Sequence, residues 1–157
     1  MKREVYLILH NIRSCHNVGS IFRTADAAGV SKIYLTGYTP APHDRFGRGV
    51  KEIAKVALGA ERTMSWEKRK DIGRLIENLK REKVFVVAVE QERRARDYRK
   101  AKIKFPCVFI FGSEVGGLTE SVLNLADVIA EIPMHGKKES LNVSVAVGVT
   151  VFRMICS

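Results

Sequence analysis

The chain has 157 residues, the size of one compact domain and too short for two comfortable ones, and 46% of them are apolar, which excludes a disordered tail. Lys and Arg outnumber Asp and Glu by 27 to 17, and the excess is uneven: residues 1–104 carry 24 basic and 12 acidic side chains, residues 105–157 carry 3 and 5. A basic face therefore stands beside a nearly neutral, apolar third, and such a face suits a polyanion, whose bound counterions are released at each phosphate contact.

In chain order, residues 5–9 form a short apolar run that reads as a buried strand. Asn17 can cap a helix over 17–28, with Gly29 as its stop and Ile21, Ala25 and Ala28 on its inner face. A second strand covers 32–36. Residues 37–49, with Pro40, Pro42, Gly47 and Gly49, form a loop carrying His43, Asp44, Arg45 and Arg48 outward. A helical piece near 50–57 and a weak strand near 62–65 follow. Residues 67–82 are amphipathic, with Ile72, Leu75, Ile76 and Leu79 inward, and predict a helix. The run at 84–89 predicts a strand covered on both faces. Residues 92–104 place seven Lys or Arg in thirteen positions and read as an exposed basic loop. A strand at 108–111, a helix near 119–126 and a strand at 128–132 complete the alternation. In the tail, Val143, Val145, Val147, Val149 and Val151 alternate, which by period predicts a strand, although Asn142 and Ser144 also suit a helix start. Strands alternating with helices imply an α/β domain, a mostly parallel sheet with helices on both faces, in one unit spanning 1–157.

Cys15, Cys107 and Cys156 are too few and scattered for a disulfide framework, no secretory signal opens the chain, and no apolar run reaches the roughly 20 residues of a membrane span. The expectation is a cytoplasmic protein with free thiols and no membrane partner. His10, Cys15, His16, His43 and His135 lack the paired spacing of a zinc site, so no metal is expected.

Three constellations carry chemistry. The first is Asn17-Val18-Gly19-Ser20-Ile21-Phe22-Arg23-Thr24-Ala25, where Arg23 sits in sequence among apolar residues and an unpaired charge would be costly, so that it wants a carboxylate or phosphate. The second, Phe111-Gly112-Ser113-Glu114-Val115-Gly116-Gly117-Leu118, follows a buried strand, where open α/β sheets bind ligands. It lacks the spacing of a dinucleotide fingerprint, a phosphate-binding P-loop or a nucleophile elbow. The third runs from Ile132-Pro133-Met134-His135-Gly136 to Ser140-Leu141-Asn142-Val143-Ser144, a second strand-end loop facing the first.

Taken together, in this order and spacing over residues 4–155, the three resemble the motifs of the SpoU (TrmH-like) RNA ribose 2′-O-methyltransferases of the SPOUT trefoil-knot superfamily. The resemblance implies a C-terminal trefoil knot, an exception to the rule that connections do not thread, and makes the tail a helix over 141–154. It implies S-adenosylmethionine as cofactor, held near Val89, Gly112, Ile132, Ser140 and Leu141, and a homodimer with the first and last helices at the interface. It also implies methyl transfer to a ribose 2′-hydroxyl of RNA, tRNA before rRNA. Arg23 matches the family's catalytic arginine. A guanidinium stays protonated, so the role expected of it is to bind the phosphate beside the target ribose and stabilise developing oxyanion charge. Asn17 and Asn142 would orient Arg23 and the ribose, and Glu114 would pair with Arg23 or Asn17. By charge alone, Arg45, Arg48, Arg93, Arg94, Arg96, Arg99 and Lys100 are candidates for the RNA track. With little chain outside the motifs, substrate choice is expected from the minimal domain, its dimer partner or another protein. A catalytically silent RNA-binding dimer is the rival, disfavoured by the polar residues all three motifs retain.

Overall fold

Seven strands, β1 (Val5–His10), β2 (Lys32–Thr36), β3 (Trp66–Arg69), β4 (Phe85–Val89), β5 (Arg96–Asp97), β6 (Cys107–Phe111) and β7 (Val128–Glu131), make one sheet of order β3-β2-β1-β6-β4-β7-β5 in the structure, a computed structural model that describes residues 3–156. Every pairing is parallel. Alternate residues leave the central strands on opposite sides: Leu7, Leu35, Val87 and Phe109 enter one core, Ile8, Tyr34, Val86 and Ile110 the other. Burial on both faces is why these strands read as unbroken apolar runs. Helices α1 (Cys15–Ala28), α2 (Lys51–Ala57), α3 (Ala60–Thr63) and α6 (Val143–Ile155) cover the first face, and α4 (Ile72–Arg81) and α5 (Glu120–Leu125) cover the second.

Helix α1 begins earlier than its sequence suggests. Ser14, not Asn17, is the cap: its side chain accepts from the Asn17 backbone N–H at 3.1 Å. Asn17 lies in the first turn, buried, with its amide free for other work. Gly29 closes the helix in the left-handed region at φ 77°, as expected. Gly19 is required by packing, because a Cβ there would stand 2.5 Å from the Ile53 carbonyl oxygen of α2.

Three expectations near the middle of the chain are corrected. The helix expected over 67–82 begins at Ile72, capped by Asp71; residues 66–69 instead add an edge strand to β2, where Glu67 bridges Lys32 at 2.8 Å and Arg69 at 2.7 Å. The strand expected near 62–65 is the last turn of α3 and its exit. The basic stretch 92–104 is not all loop, because Arg96 and Asp97 pair with Ala130 and Glu131.

The valine alternation of the tail is carried on a helix. Val143, Val147, Thr150, Val151 and Met154 are its buried residues, spaced as a helical face, and the helix packs on α1. The small helix penalty of each β-branched residue, at most about 0.7 kcal/mol, is outweighed by burial of that face. The chain reaches this position from β7 by passing the ends of β4 and β6, so residues 132–143 lie beside Val89 and Phe111. The opposite side of α6 presents Val145, Val149 and Phe152, between 37% and 49% exposed. No helix among the described residues is long and apolar enough to cross a membrane.

Candidate active site

A parallel sheet sends every strand out at the same edge, and the loops leaving β1, β2, β4, β6 and β7 converge there. They enclose two neighbouring hollows. The first is a cleft of about 140 Å³ at the ends of β4, β6 and β7. Val89, Phe111, Ile132 and Leu141 give it apolar walls, and Glu90, Glu114 and Glu131 supply carboxylates. The second, about 640 Å³, lies at the end of β1 between residues 11–14 with Tyr38 on one side and 113–117 with Thr119 on the other. Ser113 and Glu114 line both, so one short segment is the wall between them.

A chain of hydrogen bonds braces that wall. The Asn17 Nδ2 donates to Glu114 Oε1 at 2.7 Å, and the Asn17 Oδ1 accepts from Asn142 Nδ2 at 3.2 Å. Asn142 also caps α6, its Oδ1 accepting the Ser144 backbone N–H at 2.9 Å. One buried amide thus ties together a residue from each of the three motifs. The other Glu114 oxygen has no hydrogen-bond partner among the described residues.

A second carboxylate, which the sequence analysis passed over, shapes the same loop. Glu90 Oε2 accepts the Leu118 backbone N–H at 2.9 Å, and a Cβ on Gly117, whose φ is 61°, would lie 2.5 Å from that oxygen. Glycine is the residue that fits this clamp. The available signal was position: Glu90 is the first residue beyond a buried strand at the ligand-bearing edge.

The corner between β1 and β2 is similarly locked. Asn11, at φ 57°, accepts the Tyr38 backbone N–H through Oδ1 at 3.1 Å, and its Nδ2 is 3.3 Å from His10 Nε2. His10 Nδ1 lies 2.9 Å from Thr36 Oγ1, and burial pushes the imidazole below its ordinary value. Across this corner the Arg13 guanidinium lies 5.3 Å from the centre of the Tyr38 ring.

The five residues expected at the cofactor, Val89, Gly112, Ile132, Ser140 and Leu141, all line the first cleft. Asn17 and Glu114 are brought together as expected, with Asn142 beside them. Arg23 is not. The expectation that it is enclosed by apolar neighbours is corrected: Ile21, Phe22 and Ala25 turn into the core, whereas Arg23, on another side of the helix, is exposed and lines neither hollow. Neighbours in a helical sequence are not neighbours on its face. Glu114 consequently pairs with Asn17 and not with Arg23.

All seven basic candidates are exposed, but they are not equivalent. Arg48 bonds Asp44 at 3.0 Å, Arg94 bonds Glu92 and Glu120 at 2.7 and 2.9 Å, and Arg99 bonds Asp97 at 2.6 Å. The Arg99 guanidinium holds the Asp97 carboxyl down at about 2. Arg45, Arg93, Arg96 and Lys100 form no salt bridge among the described residues, and Arg45 and Arg48 flank the exposed Phe46 ring at 4.8 and 4.9 Å. No three His, Cys, Asp or Glu among the described residues cluster as a metal site requires.

Residues 4–152 match the SpoU rRNA Methylase family. Over 149 residues the chain is 34% identical to a 23S rRNA (guanosine-2′-O-)-methyltransferase of Ralstonia nicotianae, spanning 95% of this chain and 57% of that protein. It is 32% identical over 149 residues to a tRNA (guanosine(18)-2′-O)-methyltransferase of Thermus thermophilus, spanning 95% of this chain and 73% of that one. Its fold superposes with a TM-score of 0.83 on a crystal structure of an AdoMet-bound rRNA methyltransferase from Sinorhizobium meliloti, at 30% identity and over 98% of this chain and 56% of the other. The chain thus spans little more than half the length of two of these three proteins.

Proposed function

This chain belongs to the SpoU rRNA methylase family, and on that premise we propose that it transfers a methyl group from S-adenosylmethionine to a ribose 2′-hydroxyl of RNA. The observation that carries the proposal is the wall of Ser113 and Glu114 shared by two hollows and braced by Asn17 and Asn142. A methyl transfer needs donor and acceptor in line at about 3 Å with nothing between them, which places both at the rim that the two hollows share over Ser113 and Glu114.

The first cleft suits the donor by its chemistry. Val89, Phe111, Ile132 and Leu141 offer apolar surface to an adenine, and Glu90 and Glu131 face the cleft as counter-charges for an ammonium or sulfonium. Bound there, S-adenosylmethionine supplies an electrophilic methyl group. Every other step falls to the chain and the RNA. As the new C–O bond forms, the ribose hydroxyl must shed its proton, and Glu114, with one oxygen committed to Asn17, keeps the other to accept from it. Asn142 fixes Asn17, and through it the carboxylate.

Arg23 enters through a second copy. Its exposure, the packing of α1 on α6 and the uncovered stripe of Val145, Val149 and Phe152 together favour a homodimer built on these helices, in which each Arg23 reaches the partner's second hollow. There it binds the phosphate beside the target ribose and offsets oxyanion charge. Arg45, Arg93, Arg96 and Lys100, which form no salt bridge among the described residues, extend the track for the strand; Arg48, Arg94 and Arg99 reach it only by giving up their pairs. We place tRNA ahead of rRNA, a tRNA (guanosine(18)-2′-O)-methyltransferase being among the relatives at 32% identity. A cytoplasmic location follows from that substrate.

The test is incubation with methyl-labelled S-adenosylmethionine and, separately, total tRNA and total rRNA, followed by mapping of 2′-O-methyl nucleotides. Label at one ribose of tRNA is the expected result. Donor binding without label in either RNA would overturn the proposal, and label in rRNA alone would overturn the preference for tRNA.

A further inference from the structure

We propose that the second hollow is a binding site for the nucleotide to be methylated, with Tyr38 as the platform for its base and Arg13 as the cation for its phosphate. The inference rests on the RNA methylation proposed above and names the residues that hold the acceptor.

The second hollow is the larger of the two, about 640 Å³ against about 140 Å³, and its position suits an acceptor. A nucleotide lying between Tyr38 and residues 113–117 has its ribose against Ser113 and Glu114, at the rim shared with the first cleft.

Tyr38 is 51% exposed, yet its backbone is anchored to the β1–β2 corner. Its N–H donates to Asn11 Oδ1 at 3.1 Å, and a Cβ on the preceding Gly37, at φ 61°, would stand 1.8 Å from that oxygen. Asn11 itself sits in the left-handed region and contacts His10. An aromatic ring fixed in water at the rim of a polar cavity is pre-organised to stack on a flat ligand, and unstacked RNA bases are read in this way. Arg13 completes the argument. Its guanidinium lies over the Tyr38 ring and has no carboxylate partner among the described residues, in contrast to Arg48, Arg94 and Arg99 on the same edge. Stacked on an aromatic face, a guanidinium keeps its edge donors free for phosphate oxygens.

The substitutions to compare are Tyr38→Leu, Tyr38→Phe, Arg13→Ala and, as a charge control on the far face, Arg74→Ala. Binding of total tRNA is measured by filter retention between 50 and 200 mM salt, S-adenosylmethionine binding by calorimetry, and methyl transfer by label. Tyr38→Leu is expected to weaken tRNA binding by between about 5- and 150-fold, the range for loss of one base stack, with donor affinity unchanged and Tyr38→Phe close to the parent. Arg13→Ala is expected to reduce the slope of log K against log salt by about one, whereas Tyr38→Leu leaves it unchanged. Arg74→Ala leaves methyl transfer at the parent level. Parent-like tRNA binding in Tyr38→Leu and Arg13→Ala overturns the proposal. So does equal loss in Tyr38→Phe, or a fall in donor affinity in step with tRNA affinity, either of which marks a structural defect. If the parent methylates tRNA and these substitutions do nothing, the site is wrong and the activity stands. If the parent transfers no label but binds tRNA through Tyr38 and Arg13, the activity is wrong and the site stands.

Discussion

Asn17→Asp removes one contact of the braced wall and leaves the rest. The side chain keeps its size and its place in α1, and Asn142 can still donate to it. What disappears is the 2.7 Å donation to Glu114, replaced by two facing oxygens of like charge. At that separation and an effective dielectric near 20, two unit charges repel by about 6 kcal/mol, a ceiling that rotation of a side chain would relieve. Glu114 is exposed and can turn into water, so the cost falls to that of the lost charge-assisted bond, about 1–2 kcal/mol after discounting for solvent. Holding a carboxylate at a site only 7% exposed raises the total to about 2–4 kcal/mol. Turnover falls further, on the order of 10²-fold, because Glu114 leaves the position from which it meets the ribose. Urea unfolding at pH 8 and pH 5, together with single-turnover methylation of tRNA, reads both quantities. At pH 5 a proton shared by the new carboxylate pair restores a donor between them, and the stability loss shrinks. A loss of the same size at both pH values, or parent-like turnover at pH 8, refutes the reasoning.

Other perturbations test separate parts of the fold and site. Gly19→Ala should destabilise by about 1–3 kcal/mol in urea unfolding, since the added methyl meets the Ile53 carbonyl of α2; an unchanged midpoint would mean the two helices have room to separate. Thr150→Val should be neutral or stabilise by up to about 1–2 kcal/mol, because the buried Thr150 hydroxyl finds no hydrogen-bond partner among the described residues; a clear loss would mean that it has one in solution. Arg23→Lys should retain part of the tRNA affinity and lose most turnover, and a fully active variant would end the phosphate-clamp role. Burial lowers the His10 imidazole in the folded state, so its contribution to stability is complete above the unfolded value near 6.5 and is lost as pH falls through the lower folded one. Melting temperatures at pH 7.5 and 5.5 should therefore drop less in His10→Gln than in the parent; a steeper drop would reverse the sign of the argument.

The sheet was legible because strands buried on both faces leave unbroken apolar runs, and the first cleft because glycines and small polar residues at strand ends are conspicuous. The rest depended on distances along the chain that sequence does not display. Ser14 and Asn17 are both good caps, and only the turn of the chain decides between them. Valine at every second position of the tail satisfies a strand and also fills both sides of a helix, so periodicity could not discriminate. Arg23 looked enclosed because its sequence neighbours are apolar, although the helical turn separates them from it. Glu90 matters through a backbone N–H 28 residues away at Leu118 and Tyr38 through a side-chain oxygen 27 residues away at Asn11, and nothing in their local sequence announces those partners.

Asn142 starts the last helix and also secures Asn17. A nascent chain therefore carries all seven strands before Asn142 can brace the wall between the two hollows. The wall between the two hollows is thus the last part of the fold to be completed, when the tail folds back onto α1.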